Sequence, residues 1–258
     1  MMESADALAA DLPRALEHRE LVLHYQPKLH LATDRVREVE ALLRWQHPKH
    51  GLLLPGAFLT GRIDGDVALV LGRWVVRAAL DQCAAWVAEG ADLGVCVNFS
   101  PRQFDDPALP MALDELLADA GLPPARLNLE ITEVAAVVAM DRTAARVREL
   151  RRRGLHVTLD DFGTGFSSLT WLQQLPVTMR KLDQSFTTQL GKHSQTDAIV
   201  DSVVRLAHSL ELEIIAEGVE TAGQLTHLRR LEFDYAQGFH ICRPVPAEHV
   251  LPYVRRPR

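Results

Sequence analysis

Residues 158–168 read TLDDFGTGFSS. Two adjacent carboxylates, Asp160 and Asp161, close a short apolar-edged run, and Phe162-Gly163-Thr164-Gly165 follows. Two kinds of chemistry suit this pattern. A helix cap or Asx turn needs one acid and a glycine-bearing loop. A hard cation such as Mg²⁺ or Mn²⁺ needs several oxygen ligands. Neighbouring aspartates face opposite ways on a regular strand, but both can approach one site where the strand frays into a loop. One aspartate bridging two ions ~3.5–4 Å apart, with its neighbour on the second, is a geometry used to cut phosphodiesters. Gly163 and Gly165 would allow the close backbone approach that a side chain blocks.

Other acids and amides stand near the ends of other β-rich runs. They are Glu40 followed by Arg44, then Asn98, Glu130 with Glu133 just after, Lys181 with Asp183, Glu217, and Gln237. Taken singly, each has a plain structural reading. Asp161 would cap a helix near Ser167, Asn98 would serve a turn, Lys181 would snorkel at a surface, and Glu217 would cap a turn at Gly218. Taken together, they describe carboxylates converging on one pocket. Such a cluster would protonate in part unless a cation neutralised it.

The elements that would position these groups alternate. Strand-like runs fall at 21–27, 36–45, 94–99, 126–131, 156–160, 178–183, 212–216 and 234–238. Helical patterns lie at 67–89, 107–120, 134–153, 167–175, 195–210, 221–231 and 246–255. Within 195–210, Ile199, Val203, Leu206 and Leu210 share one face, with Asp201 and Arg205 opposite. Strand–helix alternation over this length predicts a closed (β/α) barrel, whose C-terminal rim gathers the loops and the active site. The segment between the first two runs is too short for a crossover helix, so these strands are expected to be antiparallel. The fold class is therefore a modified (β/α)8 TIM-type barrel with an irregular antiparallel first strand. The whole chain, 1–258, reads as one domain, with a core from about 14 and an N-terminal extension or helix start at 1–13.

Composition narrows the function classes. Hydrophobic residues make up 47% of 258 positions, enough for a substantial core. Net charge is −6, from 28 basic and 34 acidic residues. That balance gives no footprint for a DNA or RNA polymer and no reason to expect an anionic membrane. The Arg151-Arg152-Arg153 cluster reads as a solvated helix end. Cys83, Cys96 and Cys242 are dispersed, which argues for a reducing compartment and against a disulfide framework or thiolate zinc site. No run approaches a membrane span, and the N-terminus lacks signal-peptide character. The expected location is cytoplasmic.

The motifs also form an ordered set. Glu40-Ala41-Leu42 stands in VEALLRWQHP. Around it are YQP at 25–27, VNFS at 97–100, LEITE at 129–133, LDDFGTGFSSL at 159–169, KLDQSF at 181–186, AEGVET at 216–221 and QGF at 237–239. From about residue 14 to its end, the chain resembles the EAL domain, the bacterial phosphodiesterase module that acts on cyclic di-GMP. The resemblance implies metal-dependent hydrolysis of the small-molecule substrate cyclic di-GMP to linear pGpG, with two Mg²⁺ or Mn²⁺ ions per site. Carried over by motif, Glu40, Asn98, Glu130 and Asp160 hold one ion, and Asp160, Asp161 and Glu217 hold or orient the second. Lys181 stands close to the attacking water, with Glu217 as a candidate base. Gln26, Arg44 and Gln237 contact substrate, and Glu133 steadies the loop after the paired aspartates. A homodimer formed near that loop is also implied.

The chain departs from the family pattern at 60–66, TGRIDGD, where Ile63 replaces an expected glutamate. Glu211 and Glu232 stand where the family often has glycine, near helix C-termini, and are expected to weaken those caps slightly. Two rivals follow: a catalytically weak or inactive cyclic di-GMP receptor, and a scaffold that binds neither nucleotide nor metal.

Overall fold

The computed structural model describes residues 3–59, 63, 65–133, 140–162, 175–192 and 194–254, with backbone alone at 161 and 162. Among the described residues, nine strands form one sheet: β1 (Leu21–His30), β2 (Arg35–His47), β3 (Gly51–Leu53), β4 (Gly94–Phe99), β5 (Leu127–Thr132), β6 (His156–Phe162), β7 (Met179–Leu182), β8 (Glu213–Ala216) and β9 (Tyr235–Ala236). Neighbour order is β1-β9-β8-β7-β6-β5-β4-β2-β3, and an additional β1–β2 pairing closes eight of these strands into a barrel. From β2 through β4 to β9 the barrel pairs are parallel. β1 is antiparallel to both of its neighbours, β2 and β9. The expected antiparallel first strand is therefore present, and β3 is a short hairpin addition to β2.

A barrel strand is buried on both faces, so an aliphatic run is the usual solution. Here the strands alternate instead. On β5, Leu127, Leu129 and Ile131 are buried, while Asn128 and Glu130 between them are buried and polar. On β2, Val39, Ala41 and Leu43 alternate with Glu38, Glu40 and Arg44 in the same way. One face of each strand joins the common apolar core with the surrounding helices. On β2 and β5 the other face carries polar side chains that are hydrogen-bonded, as buried polar groups require.

Helix Gly65–Ala88 buries Leu71, Val76, Ala79, Leu80, Cys83 and Trp86. Helices Leu109–Ala120, Met140–Arg152, Ser194–Ser209 and Ala222–Arg230 complete the described crossovers near their predicted positions. The N-terminal segment adds two short helices, Ala5–Ala10 and Leu12–Glu17, whose Leu8, Leu12 and Ala15 join the core.

Two expectations shift. In Ser194–Ser209 the buried stripe is Val200, Val204 and Ala207, while Ile199 is 55% exposed. The apolar surface of this helix is wide, and its smaller side chains allow the closer approach to the strands; Val203, Leu206 and Leu210 flank the contact. The predicted helix at 246–255 is a 3₁₀ turn, Ala247–His249, and a single helical turn, Leu251–Val254. Pro246 and Pro252 break the pattern there. All but the last residue of the predicted helix 167–175, with Gly163, Gly165 and most of 60–64, lie outside the described residues. Glu211 and Glu232 do adopt left-handed backbone, with φ of 56° and 60°. Among the described residues, no helix is long and apolar enough to cross a membrane.

Candidate active site

Register alone brings the first residues together. Gln26 on β1 lies opposite Glu40 on β2, Glu40 is beside Cys96 on β4, and Asn98 is beside Glu130 on β5. Thr132 then aligns with Asp160 on β6. β4, β5 and β6 present their C-terminal ends here and β2 contributes Glu40 from its middle, so the side chains meet at one rim of the barrel.

Glu40 is held on both oxygens. Asn98 Nδ2 donates to Oε1 at 2.6 Å, and Gln237 Nε2 donates to Oε2 at 2.6 Å. The Gln237 amide also donates to Gln26 Oε1 at 2.9 Å, and Gln26 Nε2 donates to the Cys242 carbonyl at 3.0 Å. Gly238 makes this arrangement possible, because a Cβ there would lie 2.2 Å from the Val219 backbone. At Gly218 the backbone is left-handed, with φ 68°, and turns the chain away just after Glu217.

Lys181 occupies the middle. Its Nζ lies 2.7 Å from Glu217 Oε1, 2.9 Å from Glu130 Oε2, 3.3 Å from Asp160 Oδ1 and 3.6 Å from Glu40 Oε2. It is buried, not a snorkelling surface lysine. Burial works against its charge, but these carboxylates outweigh burial and hold its pKa well above the usual lysine range. Glu130 is the mirror case. Burial would raise its pKa, yet Lys181 and Lys28 hold it well below the usual carboxylate range. Glu217 goes the other way. Burial pushes it up to about 7, with Asp160 adding repulsion against the pull of Lys181.

The remaining site residues fall as follows. Asp161 belongs to β6, and its side chain lies outside the described atoms. Arg44 is buried on the polar face of β2, four residues beyond Glu40, and donates to the Leu43 carbonyl at 2.8 Å. Glu133 is buried just past β5, where its charge acts on buried Arg180 of β7. Asp183 accepts from Ser185 N at 2.9 Å as a helix cap and lines the cleft beside the cluster. A cleft of about 270 Å³ opens beside the cluster, lined by Gln26, Glu40, Glu217, Gln237 and Phe239 among others. A larger concavity of about 610 Å³ lies among Arg142, Arg146, Arg152 and Arg153, with Glu149 as its only lining acid.

The donor set fits hard divalent cations. All candidate ligands offer oxygen, and the excess of carboxylate is large: Lys28 and Lys181 face Glu38, Glu40, Glu130, Asp160 and Glu217. Gln237 Oε1 is also buried without a hydrogen-bond partner among the described residues. A different grouping, Glu3, His47 and His50, suits a metal less well. His47 Nδ1 already accepts the Lys49 amide, and the ring centres of the two imidazoles lie 4.6 Å apart in a stack.

Sequence reasoning missed the layer beneath the rim: Lys28, Glu38, Asn128 and Thr158. Alternation would have found it. Lys28 lies two residues from Gln26, and Asn128 two residues from Glu130, on the same strand faces.

Fold and rim together define a modified TIM-type barrel with an oxygen-rich cluster around a buried lysine. The family model described as the EAL domain matches residues 9–244, and the chain belongs to that family. It is 42% identical over 245 residues to the bifunctional diguanylate cyclase/cyclic di-GMP phosphodiesterase MucR of Pseudomonas aeruginosa, covering 95% of this chain and 36% of that protein. It is 36% identical over 240 residues to the cyclic di-GMP phosphodiesterase PdeR of Escherichia coli K12, covering 93% of this chain and 36% of PdeR. The chain spans about a third of the length of the curated relatives it matches. Among solved structures, the PaMucR phosphodiesterase in complex with c-di-GMP superposes with a TM-score of 0.89 at 41% identity, covering 95% of this chain and 99% of that one. The FimX EAL domain from Pseudomonas aeruginosa bound to c-di-GMP gives 0.85 at 26% identity, covering 92% and 96%.

Proposed function

We propose that this EAL domain hydrolyses one phosphodiester of cyclic di-GMP, giving linear pGpG, with two Mg²⁺ or Mn²⁺ ions. The observation that carries this reading is the convergence of Glu40, Glu130, Asp160 and Glu217 on Lys181 at the barrel rim, with Asn98 on Glu40. Its likeness to MucR and PdeR supports the substrate class. Glu40, Asn98, Glu130 and Asp160 would hold one ion, and Asp160, Asp161 and Glu217 the other. Such ions, when bound, supply a more acidic water and charge stabilisation on the attacking and leaving oxygens.

The chain's own groups do the rest. Glu217, which burial pushes up to about 7 in the metal-free protein, is the candidate base, and a bound cation would lower that value. Lys181, 2.7 Å away, orients that carboxylate and adds positive charge where phosphate charge develops. Gln26 and Gln237 line the cleft and would hold the dinucleotide, and Arg44 would fork onto a phosphate oxygen. Glu133 would steady the loop after Asp161. A cytoplasmic homodimer belongs to the same reading, and light scattering on the purified protein tests the dimer.

The deciding assay is incubation with cyclic di-GMP and Mn²⁺. Formation of pGpG, abolished by Glu40→Ala, is expected. Binding of the dinucleotide without pGpG would leave a receptor instead.

A further inference from the structure

Lys28 is fully buried inside the barrel, and its ammonium is not at the rim. It lies directly across the β1–β2 ladder from Glu38. Its Nζ is 2.5 Å from Glu38 Oε1 and 2.7 Å from Glu130 Oε1. Glu130 thus divides its oxygens between two lysines, Oε1 to Lys28 and Oε2 to Lys181.

The contact continues sideways. Asn128 Nδ2 donates to Glu38 Oε2 at 3.0 Å, and Thr158 Oγ1 donates to Asn128 Oδ1 at 3.0 Å. Each member lies two residues from a rim residue on its own strand: Lys28 from Gln26, Glu38 from Glu40, Asn128 from Glu130, and Thr158 from Asp160. A polar layer therefore underlies the rim residues on β1, β2, β5 and β6.

Stability alone does not explain this layer. Buried ion pairs lose solvation that their attraction only partly returns, and apolar replacements of similar volume are often as stable. Fixed carboxylate orientation is what such a layer adds, since groups behind a ligand set its angle and its free lone pairs.

We infer that Lys28 is a positioning residue for Glu130. It engages Oε1 from below, so that Glu130 turns Oε2 alone toward Lys181 and the rim. The inference rests on the reading of Glu130 as a metal ligand and deepens it: Glu130 binds through one oxygen, with its plane set by the two lysines. Lys28 touches neither substrate nor reacting atoms.

The test uses the full chain. Lys28→Met alone would leave Glu38 and Glu130 facing one another without their shared cation, so the decisive variant is the charge-balanced pair Lys28→Met with Glu38→Gln, its folding checked by circular dichroism. Calorimetric titration with Mn²⁺ alone should show Kd weakened about tenfold or more. Under Mn²⁺ saturation, kcat for cyclic di-GMP should fall about tenfold or more while KM stays within about threefold.

A folded double variant with Mn²⁺ affinity within about twofold of the parent overturns the inference. So does an equal loss in Glu38→Gln alone, where Lys28 still reaches Glu130, or a parent that binds no Mn²⁺. A parent that binds Mn²⁺ but forms no pGpG sinks the phosphodiesterase reading separately, and the Mn²⁺ titrations still decide the role of Lys28.

Discussion

Lys181 and Glu217 meet at 2.7 Å on adjacent strands β7 and β8, and the same ammonium lies within 3.6 Å of Glu40, Glu130 and Asp160. One cation thus counters four carboxylates. Lys181→Met should destabilise the metal-free protein by about 3–5 kcal/mol, because it leaves buried charges uncompensated. Added Mn²⁺ should recover part of that loss by binding the folded state alone. Urea titrations with and without Mn²⁺ check both points. An unchanged urea midpoint without metal would show that the ammonium is not the countercharge.

Asp160→Asn keeps the shape of the side chain but removes the charge shared between both proposed ions. A loss of about a hundredfold or more in kcat is expected, close to 3 kcal/mol of transition-state stabilisation. Stability should change far less than in Lys181→Met. Steady-state turnover with Mn²⁺ measures the first, and chemical denaturation the second.

Glu133 and Arg180 are both buried, and burial pushes Arg180 down to about 10 against the pull of Glu133. Glu133→Gln should therefore cost about 1–3 kcal/mol of stability by weakening the countercharge to a buried guanidinium. It should also lower turnover without abolishing Mn²⁺ binding. A variant with full turnover would remove Glu133 from the loop-anchoring role.

Glu211 and Glu232 carry φ of 56° and 60°, a backbone region that disfavours side chains with a Cβ. Glu211→Gly and Glu232→Gly should each stabilise by about 0.5–1 kcal/mol, or a rise in Tm of about 1–4 °C. Differential scanning calorimetry would show it. A fall in Tm for both would mean that their side chains contribute more than the backbone strain costs.

Burial pushes the Cys83 thiol up to about 11, with only a partial offset from Arg126. The folded protein therefore keeps this proton at a pH where the unfolded chain, at the usual thiol pKa of about 8.5, releases it. The stabilisation is fully present below that pH and is lost as pH rises through 11, about 3 kcal/mol in all. Urea midpoints at pH 8, 9, 10 and 11 should fall more steeply for the parent than for Cys83→Ala. Cys83, Cys96 and Cys242 are all buried, so none should react with a thiol reagent at pH 8 before unfolding.

Much of this protein was legible in its sequence, for a local reason. Strand and helix periodicity, the short connection between the first two strands and the acids at strand ends are near-neighbour patterns. They lead to the barrel, the antiparallel β1, and Glu40, Asn98, Glu130, Asp160, Lys181, Glu217 and Gln237 as one group, while Gln26 followed from the family resemblance. The strained Glu211 and Glu232 stood out through the family resemblance, because glycine is frequent at those positions. Tertiary structure decided which groups face one another across the closed barrel. Gln237 reaches Glu40 across 197 positions, and Lys28 reaches Glu130 across 102. No local pattern encodes those partners, because strand register and barrel closure set them. The buried stripe of Ser194–Ser209 shows the same limit: the sequence offers a wide apolar surface, and only its fit against the strands selects Val200, Val204 and Ala207 over Ile199.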